Sequence, residues 1–432
     1  MSFNLSSGDA TLCQRQTKVL SDKIMRILFY NHTGQVSGAE RMLLMILSQL
    51  DRDRFESLVV CPEQGSLQEM AKDLGVPLES VAGLDARFTW RVDNLTRYCK
   101  SFLGVIRQLR RRVVDLNPDL LHANSIRSGL VATAATVGLG TRVVWHLHDL
   151  LPRHPLSTAI RIFASLSKRT RMIAVSEAVG RNFRGRFSRL LKDRVTVILN
   201  SIDLDKFQSD PTARRRLRKE LRFRATDLAI GIVGQLTPRK GQLELLRAFA
   251  GALTTTPNSV LLIVGAPIFN RDHEYLELLK RTTAELGIAK KVRILGARND
   301  VGAIMRTLDL LVVNSSAEPF GLVIPEAMAC GTPVLATAVD GIPEIITHGE
   351  NGWLIPANDE AALIEAVLRL QRPELRERLA ERAEKQVAAR FSIGRYMTEL
   401  LTFYRSEINS HLTPVAEKSN AIESTPRQIE AA

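Results

Sequence analysis

The sequence predicts an α/β fold of two Rossmann-like domains, each built on a parallel sheet. Three observations predict it. Short β-branched runs alternate with longer helical patterns along most of the chain. That rhythm breaks once, at "NSIDLDKFQSDPTARRRLRKE", and then restarts. The 432 residues, 45% hydrophobic and 24% charged, have the length and composition of two or three globular domains.

Taken in order, 24–30 reads as a strand and 38–50 as a helix. A strand at 57–61 and a long helix at 93–116 follow. Further strands are expected at 120–123, 142–148, 171–175 and 194–199, with helices between them. This βα repetition implies a parallel sheet covered on both faces. A hinge is expected near 200–212. Beyond it, 228–233 is a strand and 241–253 a helix, and strands follow at 260–264, 292–295 and 310–313. A helix from about Gly321 and a strand at 333–337 complete the pattern. The domains are therefore expected at 24–205 and 206–390. A charged helix covers 374–390, and an amphipathic one covers about 391–408. The ends, 1–23 and 411–432, are expected to be flexible tails.

Composition narrows the function classes. No apolar run approaches the roughly 18 residues that span a bilayer, and the first residues lack a basic-then-apolar signal pattern. Cys13, Cys61, Cys99 and Cys330 are scattered without a CxxC, which argues against disulfides and zinc. A reducing cytoplasm is the expected location. The net charge of +13 is uneven: residues 1–205 carry 29 Lys and Arg against 19 acids, and the remainder 30 against 27. A solvated helix face explains such a surplus. So does an anionic membrane surface or a lipid-linked phosphate acceptor. Nucleic acid is disfavoured, because no aromatic platform accompanies the charge. No strand is followed by GxGxxG, which disfavours a nicotinamide dehydrogenase.

Two loops look dedicated to a ligand. In "IVGQLTPRKGQLELL", Gly234 permits a tight turn after a strand, and Arg239 and Lys240 precede a helix start. Helix starts attract anions; a solvated basic pair is the plain alternative. In "AEPFGLVIPEAMACGTP", Gly331 with Thr332-Pro333 stops a helix, and Pro325 fits only its first turn. The helix then begins around 320–322, and the N–H groups of Gly321, Leu322 and Val323 are free. Glu318 lies before that end and Glu326 over a turn after it. An anion on the helix end would have a carboxylate on either side, which matches a nucleotide sugar: sugar hydroxyls, diphosphate, ribose hydroxyls. Two helix-end carboxylates favoured by the dipole are the alternative. His146 and His148 share a strand face, but no further ligand cluster suggests a metal, and His146 reads as a satisfied core histidine. "DRD" and "DLD" fall on loops and read as chance.

"GQLTPRKG", "EPFGLVIPEAMACGTPV" and "DGIPEII", in this order, resemble the retaining GT-B glycosyltransferases of family 4. "GQVSGAER" is similar to the family's Gly-rich loop, and "WHLHD" ends a strand where the family keeps an active-site histidine. The resemblance spans about 24–408. It implies a GT-B fold, two Rossmann-like domains with parallel sheets facing an interdomain cleft. It also implies a final helix packed back on the first domain. Glu318 would hold the transferred sugar, and Glu326 the ribose. Lys240, with the N–H groups of Gly321 to Val323, would hold the diphosphate. Gly38 would let the first helix approach it, and His148 would lie at the reacting centre. Gly234, Arg239, Arg298, Phe320 and Leu322 complete the expected donor site. Gln235 stands where the family often has arginine, so one charge is missing.

The implied reaction is retaining transfer of a hexosyl or N-acetylhexosaminyl group from a nucleoside diphosphate sugar to a glycan or lipid-linked acceptor, with no metal and no cofactor. Cell-surface or exopolysaccharide synthesis, at the inner face of the membrane, is the expected setting. A nucleotide-sugar epimerase and a non-catalytic GT-B binding protein are the alternatives.

Overall fold

The computed structural model describes residues 24–84, 92–267 and 270–409. The expected tails, 1–23 and 411–432, lie outside the described residues. In the first half the strands are β1 (Met25–Tyr30), β2 (Phe55–Cys61), β3 (Leu78–Ser80), β4 (Leu120–Ala123), β5 (Arg142–Leu147), β6 (Thr170–Ala174) and β7 (Val195–Val197). Between them run α1 (Gly38–Gln49), α2 (Leu67–Asp73), α3 (Val92–Leu116), α4 (Ile126–Ala135), α5 (Pro155–Leu166), α6 (Glu177–Arg184) and α7 (Ser188–Leu191). The second half holds β8 (Leu228–Val233), β9 (Ser259–Val264), β10 (Val292–Gly296), β11 (Leu310–Val313), β12 (Val334–Thr337) and β13 (Trp353–Ile355). Its helices are α8 (Pro211–Glu220), α9 (Gln242–Ala252), α10 (Asn270–Glu285), α11 (Val301–Thr307), α12 (Val323–Ala329), α13 (Ile342–Ile345), α14 (Glu360–Arg369), α15 (Pro373–Phe391) and α16 (Ile393–Asn409).

The strands form two sheets, ordered β3-β2-β1-β4-β5-β6-β7 and β10-β9-β8-β11-β12-β13. Every paired strand is parallel. The order reverses beside β1 in the first sheet and beside β8 in the second, so each has a crevice at its carboxyl edge where ligands bind. The central strands are buried on both faces, as in "LLHA" and "SVLLIV", because helices cover both sides. Two strands, β3 and β13, were not expected from the sequence. Each has three residues and lies at or near a sheet edge, too short for a periodic signal.

The chain passes between the sheets twice. After β7 it runs through 198–210, and it returns where α15 ends. The two passages lie together: the Ile202 N–H donates to the Phe391 carbonyl at 2.9 Å. The Phe391 ring meets Phe320 at 5.8 Å between centroids. Beyond this point α16 lies on the first sheet. Tyr396, Met397, Leu400, Phe403 and Tyr404 are buried with Ile27, Phe29, Ile46 and Val144. Leu401, beside them on the same helix, is half-buried.

Candidate active site

The carboxyl edges of the two sheets face each other. The loops after β1, β5 and β6 meet the loops after β8, β11 and β12. Ser176 Oγ donates to the Pro319 carbonyl at 2.6 Å. The carboxylate of Glu344 accepts from Glu177 N and Ala178 N, both at 2.7 Å, and so caps α6 from the opposite domain. At the start of α1, a Cβ on Gly38 would stand 3.6 Å from Leu322 Cδ1. The Gly-rich loop of one domain thus sits opposite the helix start of the other.

On the second domain, β8 delivers Gly234, and the turn Pro238–Lys240 leads into α9. Gly241 closes that turn at φ +69°, and an added Cβ would meet the Asn314 carbonyl at 2.1 Å. No other residue fits there, so the turn is locked against the end of β11. Arg239 Nη1 donates to the Ala317 carbonyl at 2.7 Å, and Ser316 N donates to the Arg239 carbonyl at 2.9 Å. These bonds bring Lys240 Nζ onto Glu318, which also accepts from Ser315 Oγ at 2.9 Å. The Glu318 N–H donates to Asp340 Oδ2 at 2.9 Å.

Gly321 then turns the chain at φ +90°, and α12 begins at Val323, slightly later than expected. Among the described residues, nothing accepts from the N–H groups of Gly321, Leu322 and Val323. Glu326 is 7% exposed, and no described group donates a hydrogen bond to its carboxylate. Burial pushes its pKa from 4.5 up to about 7, although Arg41 and Lys206 pull it down. A buried acid without a donor, beside free N–H groups and a lysine, is a site prepared for a hydroxylated, anionic ligand.

On the first domain, Ser37 and Glu40 form a capping box at α1, and Asn31 Nδ2 donates to Glu40 Oε1 at 3.1 Å. Asn124 links Asn31 to His148, whose Nε2 lies 3.3 Å from Asn124 Oδ1. Burial lowers the His148 pKa to about 3, so its imidazole is neutral near pH 7. His146 lies against it, with ring centroids 3.9 Å apart and the rings tilted by 44°. The expectation of a satisfied core histidine fails for His146, since neither ring nitrogen has a partner. It is wedged between His148 and His122, and His122 Nδ1 meets Tyr404 Oη of α16 at 2.6 Å.

Three expected donor residues stand differently from the sequence reading. The Phe320 ring is buried against Phe391, so it supports the loop from behind and offers no face to a ligand. Gln235 Nε2 is taken by Asp272 Oδ2 at 2.8 Å. Arg298 forks onto Asp300 at 2.7 and 2.6 Å, so its charge is already paired. Sequence reasoning missed Arg41, Ser315, Asp340 and Glu344. Arg41 carries a local signal, since it lies one turn beyond Gly38. Ser315 lies three residues before Glu318 and so was within local reach, whereas Asp340 and Glu344 act through long-range contacts that no short pattern encodes. Among the described residues no group of three His, Cys, Asp or Glu side chains gathers as for a metal.

Two parallel sheets facing across a cleft, with a lysine-acid pair and a helix start on one side, define a GT-B glycosyltransferase. Comparison with known proteins agrees. Residues 36–206 match the model for Glycosyltransferase Family 4, and residues 213–386 match that for Glycosyl transferases group 1. The chain is 30% identical over 306 residues to the D-inositol 3-phosphate glycosyltransferase of Saccharomonospora viridis, covering 66% of this chain and 70% of that protein. It is 31% identical over 199 residues to the N-acetyl-alpha-D-glucosaminyl L-malate synthase of Bacillus anthracis, covering 46% and 50%. HepE of Anabaena, solved with UDP-glucose, superposes with a TM-score of 0.76 at 27% identity, over 88% of this chain and 100% of that one. The chain belongs to glycosyltransferase family 4.

Proposed function

We propose that this enzyme moves a sugar from a uridine diphosphate sugar to a hydroxyl acceptor with retention of anomeric configuration, and that it needs no metal. The observation that carries the reading is the open, buried Glu326 carboxylate beside the free N–H groups of 321–323 and the Lys240–Glu318 pair. UDP-glucose in the structurally similar HepE supports the choice of uridine. In the transfer, the bond from the anomeric carbon to the diphosphate breaks and a bond to the acceptor oxygen forms on the same face. The acceptor proton passes to the departing diphosphate. Lys240 and the N–H groups stabilise the charge that grows on that leaving group. Glu326 accepts the ribose hydroxyls. Glu318 shares Lys240 with the diphosphate and accepts hydroxyls of the sugar. Neutral His148, held by Asn124, orients the acceptor side and is not an acid.

For the acceptor we infer a lipid-linked glycan used in cell-surface polysaccharide synthesis; the basic first domain supports this. The relatives named for inositol phosphate and malate favour a second reading, a small anionic acceptor. The test is mass spectrometry of products from a panel of uridine, guanosine and adenosine diphosphate sugars, offered lipid-linked and small anionic acceptors. The expected result is one glycosylated lipid-linked product, formed from a uridine donor. Conversion of a donor with no acceptor present would instead indicate an epimerase.

A further inference from the structure

Helix α5 is a surface helix whose outer face is mostly apolar and carries no charge. Ser157 and Ala164 are buried, while Ile160 and Phe163 pack half-buried on the core. The outward positions Ala159, Ile162 and Leu166 recur at helical spacing. Leu166 is 74% exposed, Ile162 44% and Leu156 40%. The single charge in the helix is turned inward: Arg161 donates to the Phe183 and Asn182 carbonyls at 2.8 and 2.9 Å. Arg194 ties the neighbouring 185–194 segment to the end of α5 through the Ser165 and Ser167 carbonyls. That segment exposes Leu190 at 52%.

Around this apolar patch lies a basic rim. Arg153, Lys168, Arg186, Arg189 and Lys192 are all exposed. Between residues 150 and 194 there are 11 Lys and Arg against two acids, Glu177 and Asp193. Scattered exposed leucines need no explanation, but an apolar stripe ringed by one sign of charge marks an interaction surface. A second copy of this chain would set basic rim against basic rim. An anionic lipid surface complements both the stripe and the rim.

We propose that the outer face of α5, with the 186–192 turn, docks on an anionic bilayer. The helix lies in the interface; no described helix is long and apolar enough to cross. It leaves the loop that carries His148, so docking there would set the cleft against the headgroups. The inference extends the proposed lipid-linked acceptor. The basic residues of α3 are less available for such docking. There Arg110 donates to the Ala135 and Val137 carbonyls, and Arg112 is paired with Glu79.

The experiment is sedimentation of the full chain with phosphatidylcholine vesicles, with and without phosphatidylglycerol, at low and high salt. Binding is expected only with phosphatidylglycerol, and it should fade with salt. Each basic residue lost should weaken partitioning about fivefold. Arg186→Glu with Arg189→Glu should therefore cost about thirtyfold or more, and Ile162→Asp with Leu166→Asp should abolish binding. Arg107→Glu with Arg111→Glu on α3 should cost much less than the Arg186 and Arg189 pair. Equal recovery from both lipids would overturn the proposal. So would wild-type binding by the Ile162 and Leu166 variant, or a dimer in light scattering that the same substitutions dissociate. UDP-glucose titration without vesicles separates the two readings: its failure strikes the donor site, and failure of sedimentation alone strikes the docking surface.

Discussion

Glu326 shows how one buried side chain sets a pH dependence. Its pKa is raised to about 7 by burial, so near neutrality it is divided between acid and carboxylate. A raised carboxyl favours the folded state at low pH; that contribution is lost as pH climbs from the ordinary 4.5 through about 7. In the proposed donor complex, ribose hydroxyls donate to the ionised form. Affinity for UDP-glucose is therefore expected to rise with pH up to about 7 and to level off above it, with a flat profile in Glu326→Gln. Calorimetric titration from pH 5.5 to 8.5 measures this, and a profile shared by both proteins would contradict it. The two acids of the site were legible in the sequence because their spacing brackets one helix start. Asp340 and Glu344 were not, because each reaches its partner across a fold that the local pattern does not contain.

Among the elements, most strands of both sheets were legible to within a residue or two. The exceptions, β3 and β13, are too short to show a period. The amphipathic character of α16 was legible, but its bond to the histidine cluster was not, because Tyr404 and His122 lie 282 residues apart. Deleting residues 390–432 removes Phe391, Tyr396, Leu400 and Tyr404, all fully buried. Loss of even one such aromatic costs about 3–5 kcal/mol, so the truncated chain is expected to aggregate; a soluble, active product in size-exclusion chromatography would refute this packing role. Tyr404→Phe is milder and leaves His122 without its partner; thermal unfolding should report a loss of about 1–3 kcal/mol.

At the scale of the molecule, two domains share one site, and the Glu344 cap on α6 is among the bonds that hold them together. Glu344→Ala should open the cleft, seen as a larger radius in X-ray scattering, with kcat/KM reduced while each domain stays folded. In the proposed reaction Lys240 and backbone donors meet the charge on the leaving diphosphate, so turnover is expected to survive EDTA. Complete loss restored by manganese would contradict that. The central claim is that the cleft binds a nucleotide sugar through the acids of α12 and its approach loop. Its most direct test is titration of UDP-glucose into the wild type and Glu326→Ala. A lost charge-assisted hydrogen bond is worth about 1.5–3 kcal/mol. Affinity should therefore fall by roughly tenfold to a hundredfold or more. Wild-type affinity in the Glu326→Ala protein would contradict the account.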